Sequence, residues 1–305
     1  MDIRAAIIVP TCNAGPQFQN FLNAINGQSR KLDITIVDSS SSDDTVAVAH
    51  QFAVNLIHIR RDKFNHGGTR KMAVNHLRDT DVVVFLTQDA VLSSYDSIDR
   101  ILSYFDDEAI AAVCGRQLPR KSASPIEAHA RIYNYSSMSF IRTIDDIKKY
   151  GLKAAFISNS FAAYRVSAYR KVGGFPENVI FGEDMYMAAK FLLAGYKIAY
   201  TADACVYHSH NYSLIQEMKR YFDMGVFHAR EPWIRQQFGT AESEGLKFVI
   251  SEIKYLSRHA FWLMPEGILR TILRYIGFRA GLVERHIPLK IKRKISMNPG
   301  YFKIE

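Results

Sequence analysis

The sequence predicts an α/β protein in which a mostly parallel β-sheet is flanked by helices and followed by a C-terminal helical extension. Two observations carry this prediction. Over the first 117 residues or so, short apolar runs rich in β-branched residues alternate with amphipathic segments, a rhythm typical of parallel strands joined by helices. From Ser213 onward the pattern is helical to the end, with Pro232, Pro265 and Pro288 between segments.

The elements of the first half follow from the apolar runs and from the residues that border them. Pro10 is expected to end the first strand. Ser42 or Asp43 is expected to cap the second helix, because acidic residues occupy its first turn. The predicted strands are Ala5–Val9, Asp33–Asp38, 54–59, 81–86 and 110–115, and the predicted helices are 15–28, the segment after 42–43, 67–77 and 94–105.

The alternation breaks after about Gln117. A loop and a helix come first, followed by a strand, a helix and a turn over 156–175. The segment from Glu183 predicts a helix that ends at Gly195, a natural C-cap, and two short strands follow it up to His210. The expected domains are a first domain over 1–212, with halves of about 1–117 and 118–212, and a helical, basic region over 213–305.

The positive charge of the chain is concentrated at its C-terminal end. The sequence has 39 Lys and Arg against 30 Asp and Glu, a net charge of +9. The segment from Arg270 to Glu305 has nine Lys or Arg and two Glu, which is +7, so the remainder carries only +2. This balance argues against a nucleic-acid surface on the main body and excludes nucleic acid as an expected partner.

Cysteine usage and the apolar runs indicate the compartment. The three cysteines are widely spaced and include no CxxC pair, which indicates a reducing environment. No signal peptide is expected, because charged residues lead directly into the first strand. The most apolar run, "AFWLMPEGILRTILRYIGF", is interrupted by a proline, a glutamate and two arginines, and we predict no membrane-spanning helix.

Polar residues follow three of the predicted strands at their carboxyl ends. The first strand leads into Pro10-Thr11-Cys12-Asn13, the second ends at Asp38 and the fourth leads into Gln88-Asp89. Because open α/β sheets bind ligands outside the carboxyl ends of their strands, these residues are expected to line one crevice. The alternative is that strand ends are polar simply because loops are solvated.

Two of the polar positions suggest a nucleotide. Asp38 follows the second strand, where dinucleotide-binding folds place an acid on a ribose hydroxyl. A dehydrogenase of that type is disfavoured, because the first turn, "VPTCNAG", has no GxGxxG sequence. Arg70 lies beside Gly67 and Gly68 at a helix start, a suitable place for a diphosphate, although a solvated surface arginine is the alternative.

Five segments together resemble a known family. "IIVPTCN", "VDSSSSDDT", "GGTRKMA", "LTQDA" and "FGEDMYMAAKFLLAGYKIAYTADACVYHSH" occur in the order seen in inverting family 2 glycosyltransferases of GT-A fold, over Ala5 to His210. More narrowly, "FNHGGTR", "FLTQDA", "NSFAAYR" and "HSHNYSLIQEMKRYFDMGVFH" resemble bacterial rhamnosyltransferases that use dTDP-L-rhamnose. The resemblance implies a nucleotide half over about 1–117 and an acceptor half over about 118–212.

The resemblance also implies a divalent metal on the donor diphosphate. The family has an Asp-x-Asp motif after the fourth strand, and here the matching triplet, 87–89, retains only Asp89. The implied second ligand is His208, while His210 would face the same side of a strand and stays an alternative. Mg²⁺ or Mn²⁺ is expected, and an imidazole suits Mn²⁺ better. The missing acid leaves metal dependence open.

The expected donor-binding residues are Pro10, Thr11, Asn13, Asp38, Arg70, Gln88 and Asp89.

Catalysis is expected at "GED". Two adjacent acids at a helix start are ordinarily partners of the helix dipole. The resemblance instead implies that Asp184 is the general base, which takes the proton from the acceptor hydroxyl, and that Glu183 orients the acceptor. Asn159 and Ser160 match a family segment near the acceptor.

The C-terminal tail is expected to have a role of its own. It mixes aromatic and aliphatic residues with Arg and Lys at helical spacing, which suits an anionic membrane surface, while packing on the first domain or a homo-oligomer is the alternative. The implied protein transfers a sugar to a glycan or lipid-linked acceptor, as a cytoplasmic enzyme peripheral to the inner face of the bacterial plasma membrane. A non-catalytic sugar-nucleotide sensor or membrane scaffold is the alternative. Nucleotidyl transfer is disfavoured, because its glycine-rich first turn is missing.

Overall fold

The structure is a computed structural model that describes residues 3–239 and 242–302. Strands and helices alternate over the first part of the chain, and helices follow in the last third. The strands are β1 (Ala5–Thr11), β2 (Asp33–Asp38), β3 (Asn55–His58), β4 (Val82–Leu86), β5 (Val91–Leu92), β6 (Ile110–Leu118), β7 (Phe140–Arg142), β8 (Phe161–Arg165) and β9 (Lys197–Tyr207). The helices are α1 (Phe18–Asn26), α2 (Thr45–Ala49), α3 (His66–His76), α4 (Ser97–Leu102), α5 (Pro125–Asn134), α6 (Ile147–Tyr150), α7 (Val166–Lys171), α8 (Glu183–Leu193), α9 (Leu214–Arg230), α10 (Pro232–Phe238), α11 (Glu242–His259), α12 (Met264–Leu282) and α13 (Leu289–Ile295).

One sheet contains the described strands in the order β3-β2-β1-β4-β8-β6-β9-β5, with β7 also on β9. Strands β3, β2, β1 and β4 are parallel to one another, whereas β8 runs antiparallel to both β4 and β6. β6 and β9 are parallel, and β5 and β7 pair antiparallel with β9. The predicted α/β class is therefore confirmed, with the parallel part of the sheet in the first half and mixed pairing beyond β4.

The centre of the sheet is covered on both faces. All five residues of β4 are buried, which is why this strand is a continuous apolar run without alternation. Three buried aromatic rings, Phe85, Tyr164 and Phe175, meet edge to face with centroids 5.4–5.7 Å apart. This cluster fixes the Tyr164 ring of β8 within the core.

Three local predictions were wrong. β1 does not end at Pro10, which pairs with Val37 of β2. Pairing of β1 with β4 stops at Ile8, so the strand is paired on one side only at position 10, where a missing N–H is tolerated. The N-cap position of α2 is Asp44 and not Ser42 or Asp43, although Asp43 Oδ1 accepts from the N–H of Thr45, the first residue of the helix, at 3.1 Å. The two short strands predicted up to position 210 are one strand, β9.

The described residues form two compact units. The first comprises the chain up to Leu118 together with Tyr135–Glu177 and Glu183–His208. The second comprises Pro119–Asn134, Asn178–Gly182 and the chain from Ser209 onward. α5 packs against α11 in the second unit. The predicted domain division after residue 212 stays a prediction, and the helical pattern predicted at 240–241 and 303–305 lies outside the described residues.

The second unit is held by close helix packing and by buried ion pairs. A Cβ at Gly277 of α12 would lie 2.3 Å from the backbone oxygen of Met218 in α9, so the two helices touch backbone to backbone. Arg274 of α12 joins Glu217 of α9 at 2.6 Å and Glu252 of α11 at 3.3 Å. Among residues 3–239 and 242–302, no helix is both long enough and apolar enough to cross a membrane.

Candidate active site

The polar loops of the first unit converge at one edge of the sheet. Because β8 is antiparallel to β4, the residues before β8 lie next to those after β4, and Thr87 N–H donates to Ser160 O at 3.4 Å. The carboxyl ends of the parallel strands β6 and β9 meet at the same edge, where His208 N–H donates to Leu118 O at 2.9 Å. The residues that follow β4, those that precede β8 and those that follow β9 therefore lie at the same edge of the sheet.

Glu183 is the first residue of α8, and it is held as a buried anion. Glu183 is only 4% exposed. Its Oε1 accepts a hydrogen bond from Asn159 Nδ2 at 3.0 Å and forms an ion pair with Arg70 Nη1 at 3.2 Å. Burial opposes ionisation, but the positive charges of Arg70 and His66 and the amide donor outweigh it and lower the pKa of Glu183. Glu183 is therefore charged at neutral pH.

Asp184 has the opposite electrostatic environment. Its Oδ2 accepts from the backbone N–H of Asn159 at 3.2 Å, and its Oδ1 accepts from Met185 N–H at 2.8 Å. Burial, followed by the negative charge of Glu183, raises the pKa of Asp184 to about 7. A carboxylate with such a pKa can both exist ionised and accept a proton near neutral pH.

The start of α3 explains how Arg70 reaches the acid pair. A Cβ at Gly67 would lie 1.9 Å from the backbone oxygen of Pro176, so only a glycine allows α3 to pack here. Less than one turn later Arg70 is buried, and its Nη1 also donates to His66 O at 2.9 Å. The predicted diphosphate contact of Arg70 stays a prediction, since the contacts described for its guanidinium are with Glu183 and this carbonyl.

Asn159 joins both acids to the core. It is 3% exposed, and besides its bonds to Glu183 and Asp184 its Oδ1 accepts from Tyr164 OH at 2.7 Å. Its neighbour Ser160 lies within 3.4 Å of the Ser158 hydroxyl. The structure therefore places Asn159 as a support of the acid pair, and the predicted acceptor contacts of Asn159 and Ser160 stay predictions.

Asp89 and His208 form the second cluster of this edge. The His208 Nε2 and Asp89 Oδ2 atoms are 3.4 Å apart, while His208 Nδ1 bonds Gln117 Oε1 at 2.8 Å. Gln117 Nε2 in turn donates to Ser158 Oγ at 3.0 Å, which fixes the amide so that its oxygen faces the imidazole. In a neutral imidazole that donates Nδ1–H to this amide oxygen, the lone pair of Nε2 faces the carboxylate.

This pair fits a divalent cation. Two ligand atoms that are each about 2.1 Å from one ion lie about 3–3.5 Å apart, which matches the Asp89–His208 separation. The Gln117 bond to the far nitrogen is the arrangement that orients metal-bound histidines. The residues therefore could hold a metal ion, in agreement with the coarser part of the cofactor prediction, and the identity of the ion belongs to the proposal below.

The first-half residues are ordered by an internal network. Asp38 is 1% exposed and accepts from Thr11 Oγ1 at 3.3 Å and from both the hydroxyl and the N–H of Ser41. Asn13 has a φ of +48°, and its Oδ1 accepts from the N–H of residue 42 at 2.8 Å. The Gln88 amide bonds the backbone N and O of Cys12 at 2.8 and 3.2 Å. Asp38 thus organises the loop after β2, and its predicted ribose contact stays a prediction.

Two supporting residues were missed by the sequence analysis. Gln117 lies at the carboxyl end of β6, so the same strand-end rule that found Asp89 would have found it. Tyr164 is an inward residue of β8 with no local signal in the sequence. Its role follows from the bond that its hydroxyl donates to Asn159, which in turn contacts both acids.

The fold and the site define a class of enzyme, which comparison with known proteins confirms. Residues 6–173 match the model of the family Glycosyl transferase family 2. The chain therefore belongs to this family and is a glycosyltransferase, as the sequence motifs predicted.

Relatives with nearly the same length are known. The chain is 47% identical over 302 residues to the O-antigen chain rhamnosyltransferase RfbN of Salmonella typhimurium, covering 98% of this chain and 96% of the relative. It is also 47% identical over 298 residues to the O-antigen chain rhamnosyltransferase WbaN of Salmonella anatum, covering 97% and 95%.

Solved structures resemble the fold at low sequence identity. The mannosyltransferase PcManGT from Pyrobaculum calidifontis, in complex with GDP-Man and Mn²⁺, is 17% identical with a TM-score of 0.65, over 93% of this chain and 88% of that one. TarS 1–349 of S. aureus in complex with UDP-GlcNAc is 15% identical with a TM-score of 0.57, over 97% and 84%. The likeness concerns the fold alone and confirms the predicted GT-A class.

Proposed function

We propose that this glycosyltransferase moves L-rhamnose from dTDP-L-rhamnose to a hydroxyl of a glycan or lipid-linked oligosaccharide in O-antigen synthesis. The observation that carries the proposal is the 47% identity, over 98% of the chain, to a protein described as an O-antigen chain rhamnosyltransferase. Identity at this level across both units makes a shared donor class the simplest expectation.

Asp184 is the general base of the proposed reaction. It takes the proton from the acceptor hydroxyl as that oxygen attacks the anomeric carbon, and the raised pKa makes it a stronger base than an exposed aspartate. Glu183, kept ionised by Arg70, orients the acceptor and keeps negative charge beside Asp184. Displacement in line inverts the anomeric centre, so a β-linked donor gives an α-linked product.

The donor lies in the crevice at the carboxyl ends of β1, β2 and β4. Nucleoside diphosphate sugars are the ligands of the two solved neighbours, PcManGT with GDP-Man and TarS with UDP-GlcNAc, which supports this class of donor. The crevice residues order one another, so the loops are shaped before a ligand binds. The proposed donor-binding residues are Pro10, Thr11, Asn13, Asp38, Arg70, Gln88 and Asp89.

Asp89 and His208 would hold the Mg²⁺ or Mn²⁺ ion, with His210, two residues further on, as the alternative to His208. When bound, the ion supplies positive charge to the leaving diphosphate. Within the protein, Gln117 keeps His208 in the required tautomer, and Asp89 provides the single carboxylate. Water and phosphate oxygens complete the coordination of such ions when few protein ligands are present.

The proposed acceptor is a glycan carried on a lipid, at the inner face of the bacterial plasma membrane. The support is the O-antigen description of the relatives together with the basic, apolar C-terminal helices. The enzyme would then work as a peripheral protein of the cytoplasmic side.

A donor panel tests the proposed function. The purified protein is heated with dTDP-, UDP- and GDP-sugars, with and without Mn²⁺ or Mg²⁺, because a ligand of the folded state raises the melting temperature by mass action. We expect dTDP-rhamnose to give the largest shift and metal to enlarge it. A larger shift with UDP- or GDP-sugars would reject rhamnose and keep the family.

Turnover tests the base. With the donor that binds and a lipid-linked acceptor extract, Asp184→Asn is expected to abolish transfer while donor binding persists. Asp203→Asn, at a position on β9 away from the acid pair, is the matched control and is expected to transfer normally. Normal transfer by Asp184→Asn would reject the assignment.

A further inference from the structure

Helix α12 presents two faces of different character. Its buried side, at Gly267, Arg274, Gly277 and Gly281, packs within the second unit. At about 100° per residue, the exposed apolar residues cover an arc of about 120° on the opposite side. They are 44–64% exposed, and we name them the outer face of α12: Ile268, Leu269, Ile272, Tyr275 and Ile276. An exposed apolar stripe of this length is unusual for a solvated helix.

The outer face continues beyond α12. Phe261 and Trp262, in the turn that leads into the helix, are 69% and 65% exposed, and their rings meet edge to face at 5.5 Å. The preceding helix, α11, also exposes Leu246, Ile250 and Ile253 at helical spacing. Large aromatic side chains beside an apolar helical stripe are typical of segments that enter the interface of a bilayer.

The charged side chains near the outer face of α12 that are not paired with an acid are basic. From Leu246 to Phe302 the sequence has three acidic residues, and each pairs with a basic side chain of the second unit: Glu252 with Arg274, Glu266 with Arg270, and Glu284 with both Arg230 and Lys292. These carboxylates are therefore neutralised. The exposed cations include Lys254, Arg258, Arg279, Arg285, Lys290 and Lys294.

We propose that the outer face of α12, with Phe261 and Trp262, is the surface through which the protein docks on an anionic phospholipid bilayer. The helix would lie in the plane of the membrane, where its 19 residues span about 28 Å. Arg279 lies on the same arc with its guanidinium 6.0 Å from the Tyr275 ring, so its charge can reach the lipid phosphates while the ring enters the apolar layer.

Charge decides between a bilayer and a second copy of the chain. A symmetric dimer through this face would bring the same cations of two copies together, whereas the carboxylates of residues 246–302 are already paired with cations of their own copy, which disfavours association. An anionic lipid surface supplies the complementary charge at each of these positions. The inference rests on the membrane location in the proposed function, names the surface that provides it, and does not depend on which sugar is transferred.

Vesicle flotation tests the surface directly. The full chain is mixed with vesicles of phosphatidylcholine alone or with about one third phosphatidylglycerol. We expect binding to the anionic vesicles that falls steeply when salt is raised to about 0.5 M. Phe261→Ala/Trp262→Ala should weaken binding at least about tenfold, and Arg279→Glu should weaken it by more than about fivefold.

The matched control is Tyr95→Ala, which removes a 70% exposed aromatic ring from the first unit and should bind as the wild type does. Melting temperatures of all variants are compared, so that loss of folding is recognised. Wild-type binding by the folded Phe261→Ala/Trp262→Ala variant, or equal loss in the Tyr95→Ala control, would overturn the proposal.

Tryptophan fluorescence gives a second readout. The chain has two tryptophans, so Trp233→Phe leaves Trp262 as the sole reporter. Its emission should shift to the blue on anionic vesicles and be quenched by brominated lipid acyl chains. Emission that stays unchanged would overturn the proposal. So would a dimer in vesicle-free solution that Phe261→Ala/Trp262→Ala converts to a monomer, because the face would then join two copies.

Discussion

The acid pair predicts a pH profile that differs from that of an ordinary aspartate. Asp184 must be ionised to accept the proton of the acceptor, and its pKa is raised to about 7 by burial and by Glu183. With a pKa of about 7, the ionised fraction is about a tenth at pH 6 and about nine-tenths at pH 8. kcat/KM should therefore fall about tenfold from pH 8 to pH 6, whereas an unperturbed aspartate would give a flat profile over this range.

The Glu183→Gln variant tests the cause of the raised pKa. Removing the neighbouring negative charge favours the ionised form of Asp184, and Arg70, no longer neutralised, favours it further. The acid limb of kcat/KM should therefore move to lower pH, even though the variant is slower if Glu183 orients the acceptor. The buried, unpaired arginine costs about 3–5 kcal/mol of folding free energy, so the assay is run well below the melting temperature.

The assay is initial-rate transfer to the lipid-linked acceptor at fixed ionic strength and saturating metal. Donor affinity is measured over the same pH range, which separates the base from any titration at the donor and metal site. A flat wild-type profile between pH 5.5 and pH 8.5, at constant donor affinity, would refute the reasoning. An acid limb that does not move in Glu183→Gln would refute the electrostatic cause alone.

Three further predictions concern substitutions at Gln117, Gly277 and Arg70. Gln117→Leu should weaken Mn²⁺ binding about 10–100-fold by titration, because His208 loses the acceptor on its far nitrogen, and Gln117→Glu should retain affinity. Gly277→Ala should lower the free energy of unfolding by about 1–3 kcal/mol or more, since the new Cβ would meet the α9 backbone at 2.3 Å, whereas Gly245→Ala, with nothing within 4 Å, should raise it by about 0.5–1 kcal/mol. Arg70→Met should lower it by about 3–5 kcal/mol at neutral pH in chemical denaturation. That loss should shrink as the pH falls. Pairing with Arg70 lowers the pKa of the buried Glu183, so its contribution to stability is lost when acid protonates this carboxylate. Equal loss at all pH values would contradict the ion-pair explanation.

Local sequence patterns were sufficient to predict the parallel part of the sheet but not the strand order beyond β4. The five strands predicted in the first half are apolar runs and were found with small errors at their ends, whereas the two-residue strand β5 was missed. The strand order beyond β4 was not predictable, because β8 inserts between β4 and β6 through antiparallel pairing between segments far apart in the chain. Pro10 is a second example, because a proline is tolerated in β1 only where one side of the strand is unpaired, and the pairing is not visible in the sequence.

The candidate site divides in the same way. Asp89, Glu183 and Asp184 were found from strand ends, a helix start and family motifs, all of which are local. The supports of these residues were not, because Gln117 contacts His208 from 91 residues away, and Tyr164 acts through Asn159, which bonds acids 24 and 25 residues further along the chain.

The sequence by itself determined the class of fold, the family and the acids at the site, because these are written in short segments read in order. Only the tertiary structure decided the protonation behaviour of the two acids. Glu183 and Asp184 are adjacent carboxylic acids. Glu183 is paired with Arg70 from α3, which lowers its pKa, whereas Asp184 is buried beside the negative charge of Glu183, which raises its pKa. A pKa depends on the charges and the burial around a group, and those are set by distant segments that folding brings together.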